Sequence, residues 1–340
     1  MGERKKQILF GAIDNYIKQA SPITSLLVHR TDMIDLSTAT LRNELSALEA
    51  MGYLKQLHTS SGRVPTTKGY RFFVNEIVHN LDYSMRDLKK VKEELFLKTG
   101  NLMEIVQSIT EAVSKSTKYP AVVVLDGFKN LKVQSIKVMY LLSHQVLVLI
   151  ETNAGVITNT LSASDKVTMH DCENASAIFT DIFEGKKLGY LMQHVSSFNE
   201  QIKKAMKEYE EIFKLVLCVL ENYNSKDKVS SGGMLKLLDS PEYSDSKKAR
   251  EILNILDDKQ QLKDIFDTTD SEGISIKIGS ENQNSALDEC AVIKAPIVID
   301  GNKIASVGII GPQRIDYASV ASVLKFIADQ IKDGRTGKKD

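Results

Sequence analysis

The chain has 340 residues, 42% hydrophobic and 26% charged, enough apolar material for two or three cores and too much for a disordered polymer. Forty-four basic residues balance 44 acidic ones, which removes any global electrostatic case for a nucleic-acid or membrane partner. No run of about 18 uncharged apolar residues occurs, and the widely separated Cys172, Cys218 and Cys290 signal neither a disulfide framework nor a zinc module.

The amino-terminal stretch MGERKKQILF lacks the plain apolar run of a signal peptide, so a cytoplasmic protein is expected. Leu9, Ala12, Ile13, Tyr16 and Ile17 share one face and predict a helix over 5–19, which Ser21-Pro22 ends. Thr24 can cap a short second helix reaching about residue 30. Beyond a polar turn at 31–36, which carries Asp32 and Asp35, Ser37 caps a third helix that Gly52 stops. Residues 53–58 and 63–66 read as a β-hairpin turning through Thr59-Ser60-Ser61-Gly62. A fourth helix begins near Thr67, with Tyr70, Phe73, Val74, Ile77 and Leu81 on one side. Three helices followed by a hairpin is winged-helix order.

Residues 83–118 read as a charged helical stretch, either a connector or part of the second domain. Strand signals follow at 121–125, 133–142, 145–151 and 155–161, predicting one antiparallel sheet. Helical patterns dominate from 173 to 266; strands return at 274–278, 291–299 and 303–310, and a helix closes the chain at 316–331. A sheet interrupted by a mainly helical block predicts an inserted subdomain.

Charge clusters locally. Residues 1–80 hold ten basic against seven acidic side chains, and 50–75 carry Lys55, Arg63, Lys68 and Arg71 with no acid among them. On the third helix Leu41, Leu45 and Leu48 fall on one side, with Ala39, Asn43 and Ser46 opposite and Arg42 beside them. Small outward residues let a helix approach the floor of the DNA major groove, where Arg can pair with guanine and Asn with adenine, while Thr38 or Ala39 can meet a thymine methyl. Thr38, Ala39, Arg42, Asn43 and Ser46 are therefore expected at bases. Arg63 is assigned to the wing, and Lys55, Lys68 and Arg71 to the phosphate backbone.

The run STATLRNELSALEAMGYLKQLHTSSGRVPTTKGYRFFV at 37–74 resembles the DNA-binding domain of the heat-inducible transcription repressor family HrcA. GMLKLLDSPEYSD at 233–245, Ile278-Gly279-Ser280-Glu281-Asn282, and GIIGPQRIDYASV at 308–320 resemble later motifs of that family, in the expected order. Where the closing motif commonly reads Gly-Pro-Thr-Arg-Met, this chain has Gln313 and Ile315. The resemblance implies an α+β chain with an amino-terminal winged helix-turn-helix and a GAF-like α/β domain carrying an inserted, mainly helical dimerisation subdomain. The corresponding division is 1–82 for the winged helix, 83–118 as a connecting segment, 119–198 with 285–335 for the GAF-like domain, and 199–284 for the insertion. It also implies a homodimer on an inverted-repeat operator upstream of chaperone operons, with a chaperonin modulating activity and heat stress releasing repression. No cofactor or metal is expected.

An enzyme is not expected: G-x-S-x-G, P-loop and H-E-x-x-H patterns are all missing, and the six His are dispersed. Residues 308–311 are expected to form a tight turn between the last strand and helix, with Pro312 fixing φ after Gly311. Arg314, Asp316 and Tyr317 are expected to serve a structural hydrogen-bond network. A GAF-like domain leaves a second reading open, a regulator that senses a metabolite.

Overall fold

A computed structural model describes residues 1–29, 36–56, 62–78, 101–205, 210–225, 228–267 and 273–332. Helix α1 (Glu3–Gln19) buries Ile8, Leu9, Ala12 and Ile13 completely and ends where Ala20 turns left-handed and donates its N–H to the Tyr16 carbonyl. The short α2 (Ser25–His29) leads to α3 (Thr38–Ala50), whose first turn is capped by the Ser37 hydroxyl accepting from the Thr40 N–H at 3.2 Å. Leu41, Leu45 and Leu48 are wholly buried, as their spacing demands. Gly52 stops the helix at φ 77°, and the following N–H of Tyr53 reaches back to the Leu48 carbonyl at 3.0 Å.

Strands β1 (Leu54–Gln56) and β2 (Arg63–Pro65) pair antiparallel, with Lys55 opposite Val64. Ile23 exchanges both backbone hydrogen bonds with Arg63, at 2.7 and 2.9 Å, and so ties the chain before α2 to the hairpin. Helix α4 (Thr67–Val78) follows, its Gly69 so close to the Tyr53 carbonyl that a Cβ would lie 2.3 Å from that oxygen. The expected turn at 31–35, the hairpin tip at 57–61, and 79–100 lie outside the described residues.

From α5 (Leu102–Thr117) onward the four strands expected in one sheet divide between two. Strand β3 (Ala121–Val124) is buried at every position and lies inside a five-stranded antiparallel sheet of order β7-β3-β10-β9-β8. Its partners are β7 (Val229–Gly232), β8 (Ser275–Ile278), β9 (Cys290–Ile299) and β10 (Asn302–Pro312). By contrast β4 (Val133–Leu141), β5 (Gln145–Thr152) and β6 (Gly155–Ser162) form their own three-stranded sheet. Strands apolar on both faces need cover on both faces, whereas alternating strands need it on one.

The interruption of the five-stranded sheet accordingly falls elsewhere than at 199–284. Both β7 and β8 lie within that range, yet β7 pairs with β3 and β8 with β9. The excursion between β3 and β7 instead holds β4–β6 with α6 (Met169–Phe183), α7 (Leu188–Gln193), α8 (Val195–Ala205) and α9 (Glu210–Ser225). Helix α6 lies along the β4 edge: Thr180 Oγ1 accepts from the Ile136 N–H at 3.0 Å and Ser176 Oγ from the Val138 N–H at 2.8 Å. Two hydroxyls one helical turn apart thus satisfy backbone groups that an open edge would expose.

Helices α10 (Ser246–Asp257) and α11 (Lys259–Phe266) cover one face of the five-stranded sheet, packing Ile252, Leu262 and Phe266 on Val122, Val292 and Ile310. On the other face α5 and α12 (Tyr317–Lys332) set Ile109, Val113, Val320 and Leu324 against Val123, Ile293 and Ile309. Residues 308–312 are not a turn. They form the end of β10, opposite Lys294 to Cys290 of β9. A Cβ at Gly308 would lie 2.1 Å from the Ile293 carbonyl oxygen, and Pro312 occupies the final position of β10, beyond the Ile309–Ala121 pair that ends the ladder with β3.

Candidate nucleic-acid interface

All five residues expected at bases, Thr38, Ala39, Arg42 and Asn43 with Ser46, lie on the outer surface of α3, the first four in or near its first turns. The opposite face is closed by the buried leucines. The Arg42 guanidinium forms no hydrogen bond or ion pair with the described residues, while the Arg42 backbone carbonyl accepts from Ser46 Oγ at 3.0 Å. A small, polar, outward helix surface carrying one uncommitted guanidinium is what base-edge hydrogen bonding requires.

The four cations assigned to wing and phosphate part company. Lys55 is exposed on β1. Arg63 is drawn inward: its Nε donates to Glu49 Oε2 at 2.8 Å and its Nη2 to Ser46 Oγ at 3.0 Å, so it ties the hairpin to α3. Lys68 donates to the Met51 carbonyl at 2.8 Å and sits 4.5 Å above the Tyr53 ring. Arg71 turns to the far carboxy-terminal unit, donating to Glu281 at 2.9 Å and to the Ile276 carbonyl at 2.6 Å.

The anchoring role of Glu44 was not legible in the sequence. It occupies the buried face of α3, 7% exposed, and pairs with Lys5 at 2.9 Å and with Arg4. Those two cations, Lys5 foremost, hold its carboxyl below the usual range against the opposing pull of burial. The pairing fixes the start of α1 against the middle of α3. The available signal was an acid at the second position of the Leu41, Glu44, Leu45, Leu48 stripe, where an apolar residue is the rule.

In the closing motif, Asp316 Oδ1 accepts from the Ser319 N–H at 3.0 Å and caps α12. The buried Tyr317 donates to the Gln313 carbonyl at 2.6 Å. Arg314 spans two units, donating to Glu242 at 2.6 Å and to the Ile17 carbonyl of α1 at 3.0 Å. Gly311 and Pro312 act as strand residues, as described above.

The family described as HrcA protein C terminal domain matches residues 103–321. A heat-inducible transcription repressor HrcA of Acetivibrio thermocellus is 33% identical over 98% of this chain and 96% of its own length. Those of Moorella thermoacetica and Brevibacillus brevis are each 30% identical over 97% of both chains. A crystal structure of a hypothetical protein at 2.2 Å resolution superposes with a TM-score of 0.73 at 21% identity, covering 99% of both chains, and shares the fold. Mixed α+β architecture and full-length similarity define a DNA-binding transcription repressor, a class without catalytic activity. The chain belongs to the HrcA family of heat-inducible transcription repressors. Among the described residues no helix is long and apolar enough to cross a membrane.

Proposed function

We propose that this repressor binds an inverted-repeat operator upstream of chaperone operons as a homodimer, in the cytoplasm, with α3 as the helix that enters the major groove. The observation that carries the reading is the division of α3 into a face of buried leucines and a face where Thr38, Ala39, Arg42, Asn43 and Ser46 are exposed. In this reading β1 and β2 form the wing of a winged helix, and the first 82 residues act as the reading head. Lys55 faces phosphate, Arg63 sets the hairpin against α3, and the five-stranded unit is the GAF-like body.

Dimerisation is assigned to the excursion between β3 and β7. Met139, Leu142 and Met169 are 51%, 90% and 64% exposed there. The contacts of Ile136 with Thr180 and Val138 with Ser176 run α6 antiparallel to β4, which carries Met169 toward the Leu142 end. Exposed apolar side chains gathered at one end of a subdomain suit a second copy of the chain. Heat release follows from competition for a chaperonin that maintains the active repressor, rather than from a small ligand.

The test is binding of the purified chain to the inverted repeat of its chaperonin operon and to scrambled duplex, with and without chaperonin, at one stated salt concentration. Selective binding that chaperonin strengthens is expected. Equal affinity for both duplexes in both conditions would remove the proposal.

A further inference from the structure

The motif segments at 233–245, 278–282 and 308–320 take no part in the reading face of α3. Each contributes one charged residue, Glu242, Glu281 and Arg314, to a single seam where α1 and α4 meet the body. The links are reciprocal. From the head, Arg71 forks onto Glu281 and reaches the Ile276 carbonyl; from the body, Arg314 forks onto Glu242 and reaches the Ile17 carbonyl in the last turn of α1. Glu281 is held for its task by the Ile278 N–H at 2.9 Å.

Between the two forks the rings of Tyr70 and Tyr317 pack 6.1 Å apart, and Gly279 approaches Thr67 so closely that a Cβ would lie 2.7 Å from its hydroxyl. Apolar packing of this kind gives adhesion without direction. Forked Arg–carboxylate bonds, each combined with a carbonyl across the seam, fix an angle. In a dimeric DNA binder that angle matters, because the two reading helices must match half-sites about 34–36 Å, one helical turn, or a multiple of it apart.

We propose that Glu242 and Glu281 are positioning residues for operator recognition: through Arg314 and Arg71 they hold the head at one angle to the body and so set the separation of the two α3 helices. The proposal rests on the dimer reading above. It assigns Arg71 to orientation in place of phosphate contact.

The test uses the full chain and the Glu242→Gln/Glu281→Gln double variant, whose substitutions keep side-chain size. Binding is measured on three duplexes: the inverted repeat of the chaperonin operon, the same repeat with its spacer lengthened by two base pairs, and one isolated half-site. Wild type prefers the natural spacer. The double variant is expected to bind the half-site as tightly as wild type, the full repeat about tenfold more weakly, and the two spacers nearly alike. Arg71→Lys, which keeps the charge and loses the fork, falls between them.

Unchanged full-site affinity and spacer preference would overturn the proposal. So would equal losses on half-site and full repeat, because the pairs would then support the head's fold rather than its angle. If wild type itself binds repeat and half-site alike, the proposal falls together with the dimer reading, and that result marks the dimer reading as the fault. Should the double variant aggregate, the two single variants carry the same comparison.

Discussion

Arg42 and Arg71 stand on the third and fourth helices of the same amino-terminal unit and meet opposite fates. The first is exposed and uncommitted among the described residues; the second is forked onto a carboxylate 210 positions away in sequence. An uncommitted guanidinium can turn to a ligand at the expense of little but its own freedom. Withdrawing Arg71 would leave Glu281, two-thirds buried, without its counter-charge. Charge counting along the chain gives both arginines the same weight, and only the positions of their acceptors separate an open helix face from a seam.

That contrast can be broken at several depths. The largest effect is expected from Leu45→Ala, which empties part of the core beneath α3 and should cost about 2–5 kcal/mol, read as a lower denaturation midpoint with DNA binding lost in parallel. Binding that survives such a loss would mean that α3 is not held by its leucine face. Gly308→Ala should destabilise by about 1–3 kcal/mol through the clash with the Ile293 carbonyl, whereas a turn at 308–311 would tolerate it; urea unfolding distinguishes the two.

Next comes Arg42→Ala. It should lose about 1–3 kcal/mol of discrimination between operator and scrambled duplex while stability stays within about 0.5 kcal/mol of wild type. Arg71→Ala should do the reverse on a half-site, lowering the melting temperature and leaving half-site affinity alone. Parallel behaviour of the two variants would erase the distinction.

A smaller effect is expected with pH. Burial pushes the Glu281 carboxyl up, but Arg71 and the Ile278 N–H outweigh it, so in the folded chain it titrates below the ordinary range. A depressed folded value means that its stabilisation is fully present above about pH 4.3, the ordinary glutamate value, and fades as pH falls through the folded value. The melting-temperature gap between wild type and Glu281→Gln should therefore be constant near neutrality and close in acid. A gap that widens in acid would reverse the sign. The smallest expected effect is at the thiols: burial pushes Cys172 and Cys290 each up to about 11, so neither should be alkylated by iodoacetamide at pH 7.5 in the native chain, as mass spectrometry can verify.

Much of the amino-terminal unit was legible because its signals are local. The Leu41, Leu45, Leu48 spacing, the Ser37 cap and the Gly52 stop lie within sixteen residues of one another and each acts on its own helix. What escaped depends on partners distant in sequence. Strand β7, Val229-Ser230-Ser231-Gly232, has almost no β-branched or apolar content and is a strand because β3 offers it an open edge. The division of 121–162 between two sheets depends on β10, which arrives some 180 residues after β3. Gly311-Pro312 carries the composition of a turn, yet it ends a strand because β9 pairs with it as far as Cys290. Arg63 and Arg71 were legible as cations, but the carboxylates that claim them were not.

The central claim is that the outer face of α3 reads bases, and the ratio of operator to scrambled affinity at one salt concentration tests it most directly, for wild type and for Arg42→Ala/Asn43→Ala. A wild-type ratio of about 10³ or more, falling by about 10²-fold or more in the double variant while its affinity for scrambled duplex holds, is the predicted result. An unchanged ratio in a folded double variant would contradict it and place base recognition elsewhere in the chain.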